Sequence, residues 1–478
     1  MVDAITYLDL KTNITNLQEI IDFEMKYEIN KHCYCSITGI LKEEDEEFFV
    51  KHITAFSPIQ IRTEKETPTV IFNGIIQKSE IRHIGSVYYL TLNCVSNSFK
   101  LDIKKKNRSF QDKNMTYKDI IDKIASDYSS SQILDFATES KKIENLILQY
   151  EETDWEFIKR LASRFNVGLI PLGADEGANI MFGIREGKNI GNVEEYKYIL
   201  EKNIKNYLIS KENYNENLSE IDSIRFKIET IENFDIYSKI KYQDFDLYIS
   251  KKRAFLKDGI LKFEYEICNK KGLTRDRFYN DKIVGLSIKG RVLKPIQDRI
   301  KVHLEIDENQ DEETAWEFLY STMYTAEGNI GWYCMPEIND TVYIYFPTKE
   351  ESEAMGISSI RVGDKDTDKI NNPNIKYFRT IDGKEIKFAP DEILITCING
   401  KEKDTGEDRV VYIKMNQNTG IEIISTQPIL LKSGKEIRIE AEEKIEIIAN
   451  EEIKMNCKRS EIKLNSMIDI KGPEVRIN

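Results

Sequence analysis

The sequence predicts a mainly β chain of several domains with some helix. Two β domains carry helices inserted between them, a small barrel of the OB type follows, and a β-helical rod ends the chain. Three observations predict this. Residues 1–104 and 180–280 alternate apolar and polar side chains over short runs, the period of a half-buried strand. Residues 281–363 hold about five more such runs in one compact stretch. From Ile413 to Met455 a pair of apolar residues returns every eight positions.

In the first segment (1–104), "SVYYLTLNCVS" alternates cleanly, and "TPTVIFNGIIQKSEIRHI" reads as two strands around a turn at Asn73-Gly74. "HCYC", His32 to Cys35, is where Cys and His cluster. As a strand it sends Cys33 and Cys35 to one face, and buried thiols suit this spacing better than a metal site, which needs four ligands. No metal and no cofactor is expected.

The helical segment (105–179) starts after Lys104 to Lys106, read as a solvated loop. Tyr117, Ile120, Ile121, Ile124 and Tyr128 have the spacing of one helix face. Thr153 with Glu156 makes a capping box, and Trp155, Ile158, Ala162 and Phe165 then share a stripe. Glu151, Glu152, Asp154 and Glu156 crowd the same place. A glycosidase uses two such carboxylates as acid and base. Acids also gather at the positive N-terminus of a helix, the preferred reading here because nothing nearby signals a raised pKa. No catalytic residue is assigned.

The segment 180–280 returns to strand character, with "ENYNENLSEIDSIRFKIE" and "YQDFDLYISKKRAFLKDGILKFEYEICNK" alternating well. In the barrel (281–363), Ile300, Val302, Leu304 and Ile306 share a face. A turn at Pro336 to Asp340 precedes a strand setting Val342, Ile344 and Phe346 against Tyr343 and Tyr345. OB barrels often bind nucleic acid. Here Asp307, Glu308, Asp311, Glu312 and Glu313 form an acidic loop, and the whole chain carries a net charge of −13, so no nucleic-acid partner is expected. Residues 364–410 read as a polar linker and a hairpin turning at Asp382-Gly383.

The rod (411–478) is the strongest pattern. Its inward pairs are Ile413 and Met415, Ile421 and Ile423, Ile429 and Leu431, Ile437 and Ile439, Ile445 and Ile447, and Ile453 and Met455. The residue between each pair points outward. One chain coiled at three octads per turn makes under three poorly protected turns. Three chains around one axis bury more per residue, so these twelve side chains are expected on the axis of a homotrimer.

Three stretches then resemble the VgrG-like hub and spike proteins of contractile injection systems, related to phage late-control D proteins and myophage baseplate hubs. "SFQDKNMTYKDII" (Ser109 to Ile121) is similar to the family's entry to its helical part. "QYEETDWEFIKRLA" (Gln149 to Ala162) resembles its Gln-Tyr-x-Glu-Thr-Asp-Trp-x-Phe signature, the most specific match. "GWYCMPEINDTVYIYFP" (Gly331 to Pro347) resembles its barrel segment. The resemblance implies that the two β domains are hub β-barrels forming a six-lobed ring in the trimer, that the OB-fold is a neck, and that the rod is a membrane-piercing spike. It implies tail tube and baseplate proteins as partners and admits effector cargo. It also implies a PAAR-like tip protein, for which Val475, Arg476, Ile477 and Asn478 are the contact candidates. The octads depart from the family's usual form in lacking a Gly after the second inward position.

The expected function is therefore structural, at the end of the tube of a phage tail, tailocin or type VI-like system. The alternatives are a trimeric tail fibre or adhesin, and the stalk of a cell-wall hydrolase. A fibre tends to end in a broad head, whereas these octads come last; a hydrolase needs a perturbed acid pair in a cleft. Seven scattered cysteines, no basic-then-apolar leader and no run of about 18 apolar residues fit a chain held in the bacterial cytoplasm before assembly into the particle, meeting a target membrane only on piercing.

Overall fold

The structure is a computed structural model and describes residues 4–14, 16–42, 53–65, 68–185, 187–193, 197–243, 245–325, 330–361, 371–401 and 408–464. The chain divides into two compact units, Met1–Val362 and Gly363–Asn478.

The first unit is built on one long, largely antiparallel sheet. Its strands run in the order Leu10–Thr12, Pro58–Thr63, Thr69–Ile84, Val87–Ser96, Tyr34–Leu41, Leu17–Glu28, Phe245–Lys257, Ile260–Cys268, Ile224–Thr230 and Tyr198–Lys202. Two shorter strands, Lys239–Tyr242 and Asn189–Asn192, join beside Phe245–Lys257. The two strand-rich segments of the sequence thus meet at one seam. There Met25 stands opposite Ala254 and Tyr27 opposite Lys252, while Arg253 Nε donates to Glu24 at 2.7 Å. One core lies beneath both, with Phe23, Ile37, Phe72 and Leu92 from one side and Phe263, Tyr265 and Ile267 from the other. Each such side chain, fully buried, stabilises the fold by about 1.5–3 kcal/mol. Cys33 and Cys35 do share the inward face, and Cys94 stands opposite Cys35.

Expectations in this unit are corrected at several points. Lys105 and Lys106, expected in a solvated loop, open the strand Lys105–Phe110, and Lys106 is held at 2.7 Å from Asp154. Asn73-Gly74 is not a turn. It lies inside the long strand Thr69–Ile84, and the chain reverses at Gly85 (φ +64°) and Ser86 instead. Gly74 is required there because a Cβ would overlap the Val95 carbonyl, and the Asn73 N–H donates to Gly173 O at 2.7 Å. Residues 212–229 are not one alternating strand. A helix, Ile204–Asn213, and a 3₁₀ turn, Glu220–Ser223, precede a strand that covers only Ile224–Thr230. The partly covered residues of that helix are polar ones such as Tyr207 and Ser210, which with Asn206 line a polar cavity, while Ile204 and Leu208 are exposed.

Two further helices among the described residues follow the sequence. Tyr117–Ser126 is capped by Thr116 and Asp119 and buries Tyr117, Ile120, Ile121 and Ile124. Asp154–Ser163 is capped by Thr153 and Glu156 and buries Trp155, Ile158 and Ala162, with Phe165 half-buried just beyond its end. Both pack into one cluster with Phe157 and Leu161.

A closed five-stranded barrel completes the unit, in the order Ser287–Ile296, Arg299–Leu304, Glu317–Tyr320, Met355–Ile360 and Thr341–Tyr345. Val292, Ile300, Val302, Leu304, Phe318, Val342 and Ile344 fill it. Ile306 lies past the end of its strand and only packs against this core. The turn before the last-named strand closes through the Asp340 N–H, which donates to Glu337 O at 3.1 Å.

In the second unit a five-stranded antiparallel meander runs through Lys376–Arg379, Glu385–Phe388, Glu392–Lys401, Asp408–Asn416 and Gly420–Ser425. Its first reversal is the expected one, with Gly383 at φ +76° and its N–H donating to Thr380 O at 3.0 Å. A separate hairpin pairs Ile453–Cys457 with Ser460–Leu464.

Candidate functional site

Each of the first two family-like stretches is tied to the barrel by buried polar groups. In "SFQDK", the Ser109 N–H and hydroxyl donate to the two carboxylate oxygens of Asp307, at 2.6 and 2.5 Å, and the Trp316 N–H donates to Gln111 Oε1 at 3.0 Å. Burial raises the Asp307 pKa above the usual range even though Ser109 opposes this. Asp307, expected in an acidic loop, is thus a joint. In "QYEETDWEFIKRLA", Arg160 is buried. Its guanidinium donates to Glu152 at 2.8 Å, to Leu148 O at 2.6 Å and to Glu351 of the barrel segment at 2.7 Å. Arg164 meets the second oxygen of Glu351 at 2.9 Å. Burial pushes the Glu351 pKa up, but Arg160 and Arg164 outweigh it and hold the carboxyl below its ordinary value.

The four crowded carboxylates are therefore spoken for, in part, by cations. Asp154 is fully buried between Arg108 (2.5 Å), Lys106 (2.7 Å) and the Tyr128 hydroxyl (2.7 Å), and Gln149 donates to it at 3.0 Å. Glu156 caps the helix and Glu152 serves Arg160. Two anions neutralised by fixed guanidinium groups do not make the acid and base of a glycosidase.

One arrangement escaped the sequence. Ser98 Oγ lies 2.8 Å from His32 Nδ1, and His32 Nε2 lies 3.2 Å from Asp102 Oδ2. The Thr153 hydroxyl donates to the other Asp102 oxygen at 2.6 Å, and Trp155 packs on the His32 ring at 4.1 Å. Burial raises the Asp102 pKa, but the His32 and Thr153 bonds leave it below its ordinary value. The residue types are those of a hydrolytic triad. Ser98 is only 2% exposed, however, so its hydroxyl has no room for a substrate, and the chain of bonds pins the helix Asp154–Ser163 to the sheet. Burial likewise pushes the Cys33 thiol up to about 12, so it is inert as a nucleophile. Among the described residues no group of His, Cys, Asp and Glu could hold a metal ion, and no helix is long and apolar enough to cross a membrane.

The octads lie in the second unit. The first two pair with one another as an antiparallel hairpin: Ile413 faces Ile423, Met415 faces Ile421, and Lys414 Nζ lies 3.0 Å from Glu422. Ile429, Leu431, Ile437, Ile439, Ile445 and Ile447 carry no strand ladder and are all more than half exposed. Met455 is exposed and Ile453 half-buried in the last hairpin. Covering the six side chains from Ile429 to Ile447 would stabilise the chain by about 5–10 kcal/mol. Val475, Arg476, Ile477 and Asn478 lie outside the described residues.

A two-segment sheet, a helical pair and a closed barrel together define the fold of the first unit. The structure is similar to that of the E. coli c3393 protein, described as a component of the type VI secretion system with structural similarity to the T4 bacteriophage tail proteins gp27 and gp5. The TM-score is 0.53 at 11% identity, covering 74% of this chain and 99% of that one. A chain of the half-lidded Francisella PdpA-VgrG complex gives a TM-score of 0.55 at 12% identity, covering 87% of each chain. One from the lidless PdpA-VgrG complex gives 0.55 at 13%, covering 87% of this chain and 97% of that one. At such identities the likeness is one of fold, and the chain has a VgrG-like hub-and-spike fold. A family model described as the Alg8 N-terminal domain matches residues 8–176. No curated relative matches the chain.

Proposed function

We propose that three copies of this chain form the hub and membrane-piercing spike at the end of the tube of a contractile injection system, whether phage tail, tailocin or type VI-like. The observation that carries this reading is the row of octad isoleucines left exposed on a chain whose remainder has a tail-hub fold. Apolar pairs at a fixed eight-residue spacing suit an axis shared by identical copies, each covering what the others cannot. Residues 1–104 and 180–280 serve as the hub around the helical segment 105–179, residues 281–363 as the neck, 364–410 as the connection and 411–478 as the spike. Tube and baseplate proteins bind the hub, effector cargo travels with it, and a PAAR-like protein sits on the tip at Val475 to Asn478. The role is mechanical rather than enzymatic, which the burial of Ser98 and the neutralised carboxylates support. Before assembly the chain resides in the bacterial cytoplasm.

Native mass measurement on the whole chain tests this. A species three times the mass of the polypeptide is expected, and a stable monomer at micromolar concentration would sink it. A zymogram on cell-wall material should show no clearing.

A further inference from the structure

Isoleucine pairs cannot by themselves set how the copies of such a rod align. Every octad offers the same kind of inward pair, so a chain displaced by eight residues buries nearly the same surface. The outward residue between the pairs does differ: Lys414, Glu422, Leu430, Arg438, Glu446 and Lys454 in successive octads. Where two consecutive octads lie side by side in the structure, as antiparallel strands of one chain, apolar meets apolar and Lys414 meets Glu422 at 3.0 Å, so the outward residues of adjacent octads can pair by charge. Leu430 interrupts the sequence of signs. From Ile437 it resumes as positive, negative, positive at Arg438, Glu446 and Lys454.

We propose that this alternation locks the axial register of the rod, with Glu446 of one copy lying between Arg438 of a second and Lys454 of the third. The inference rests on the three-chain rod proposed above and specifies how its copies recognise one another. On each side of such a rod the stacked strands come from different copies, one octad apart, about 4.7 Å from each other. In that register Glu446 has only cations beside it. Displacing one copy by an octad in either direction sets Glu446 beside Glu446 and Arg438 beside Arg438 at one neighbouring copy, and Arg438 beside Lys454 at the other. Like charges directly opposite on neighbouring strands are destabilising, so both displacements are penalised where the apolar rows are indifferent. Within a single chain Arg438 reaches Glu440 at 2.5 Å and Lys444 pairs with Glu446. These pairs run along one extended segment at the surface, where ion pairs contribute little, and the Arg438 and Glu446 side chains keep 73% and 59% of their exposure.

The test compares the full-length wild type with Glu446→Arg and with the triple variant Arg438→Glu, Glu446→Arg, Lys454→Glu, which inverts every sign but keeps the alternation. Trimer melting at low salt should fall by about 5 °C in the single variant and return to the wild-type value in the triple. The difference should shrink in about 1 M salt. Zero-length carbodiimide coupling of trimers mixed from light and ¹⁵N-labelled chains should join Glu446 of one copy to Lys454 of another. A single variant that fails to assemble while the triple assembles also supports the lock. A trimer that melts unchanged in the single variant, is not restored in the triple, or lacks the inter-copy link overturns the lock and leaves the three-chain reading standing. A wild-type monomer overturns both.

Discussion

Arg160 is the side chain on which the contact between helices and barrel turns. It and Glu351 are both about 5% exposed or less, and without Glu351 the buried Arg160 keeps only Glu152 while Arg164 loses its carboxylate partner. Glu351→Gln should therefore destabilise the first unit by about 3 kcal/mol at pH 7, read by urea unfolding. The folded pKa of Glu351 lies below its ordinary 4.5, so its contribution is complete above that value and is lost as pH falls through the lowered one. Wild-type and variant stabilities should converge in acid. Lys252 behaves in the opposite sense. Burial lowers its pKa from 10.5 to about 8, so the unfolded chain binds more protons between those values and stability gains with rising pH in that window. Lys252→Met should abolish this gain and be more stable than wild type at pH 7 by about 1–3 kcal/mol. The second effect is limited by the loss of the bond from Lys252 to Asn233 at 2.5 Å. A Lys252→Met protein with an unaltered pH slope would show that the buried amine is not responsible.

The helix Asp154–Ser163 is the element most heavily tied to its surroundings. Thr153→Ala removes both its cap and the bond to Asp102, and a loss of about 2 kcal/mol in thermal or urea unfolding is expected, toward the upper end for a single cap. Gly74→Ala should cost at least as much, because the strand beside it leaves no space for a methyl group. These two sites also mark what could be read from sequence. Helices with capping boxes, the barrel strands with strict alternation and the Asp382-Gly383 reversal were legible because their signals are local. Asn73-Gly74 was misread because a turn and a close strand contact ask for the same small residue, and only the Val95 carbonyl distinguishes them. The helix Ile204–Asn213 was invisible because its partly covered side chains are polar ones such as Tyr207 and Ser210, while Ile204 and Leu208 are exposed. Gln149, Asp154 and Trp155 stood out as a motif, but their meaning lay in partners no window could contain. Arg164 and Glu351 are 187 positions apart, Ser109 and Asp307 198.

At the scale of the whole molecule, the two units answer to different forces. The first has its own closed cores. The second leaves its repeating aliphatic side chains in water. On the proposed three-chain axis, Ile445→Asp with Ile447→Asp should abolish association, since carboxylates buried there cost several kcal/mol each, while the melting of the first unit stays as in wild type. Sedimentation and calorimetry on the same sample check both halves of that statement. The seam between Leu17–Glu28 and Phe245–Lys257 bears on how the protein is made. Glu24 and Arg253 are 229 positions apart, so for the time a ribosome needs to translate that interval the nascent chain exposes an incomplete strand edge. Ribosome-bound intermediates in which Phe245–Lys257 has not yet left the exit tunnel should be the ones that recruit chaperones and are most sensitive to protease, and release of that strand from the tunnel should end the window.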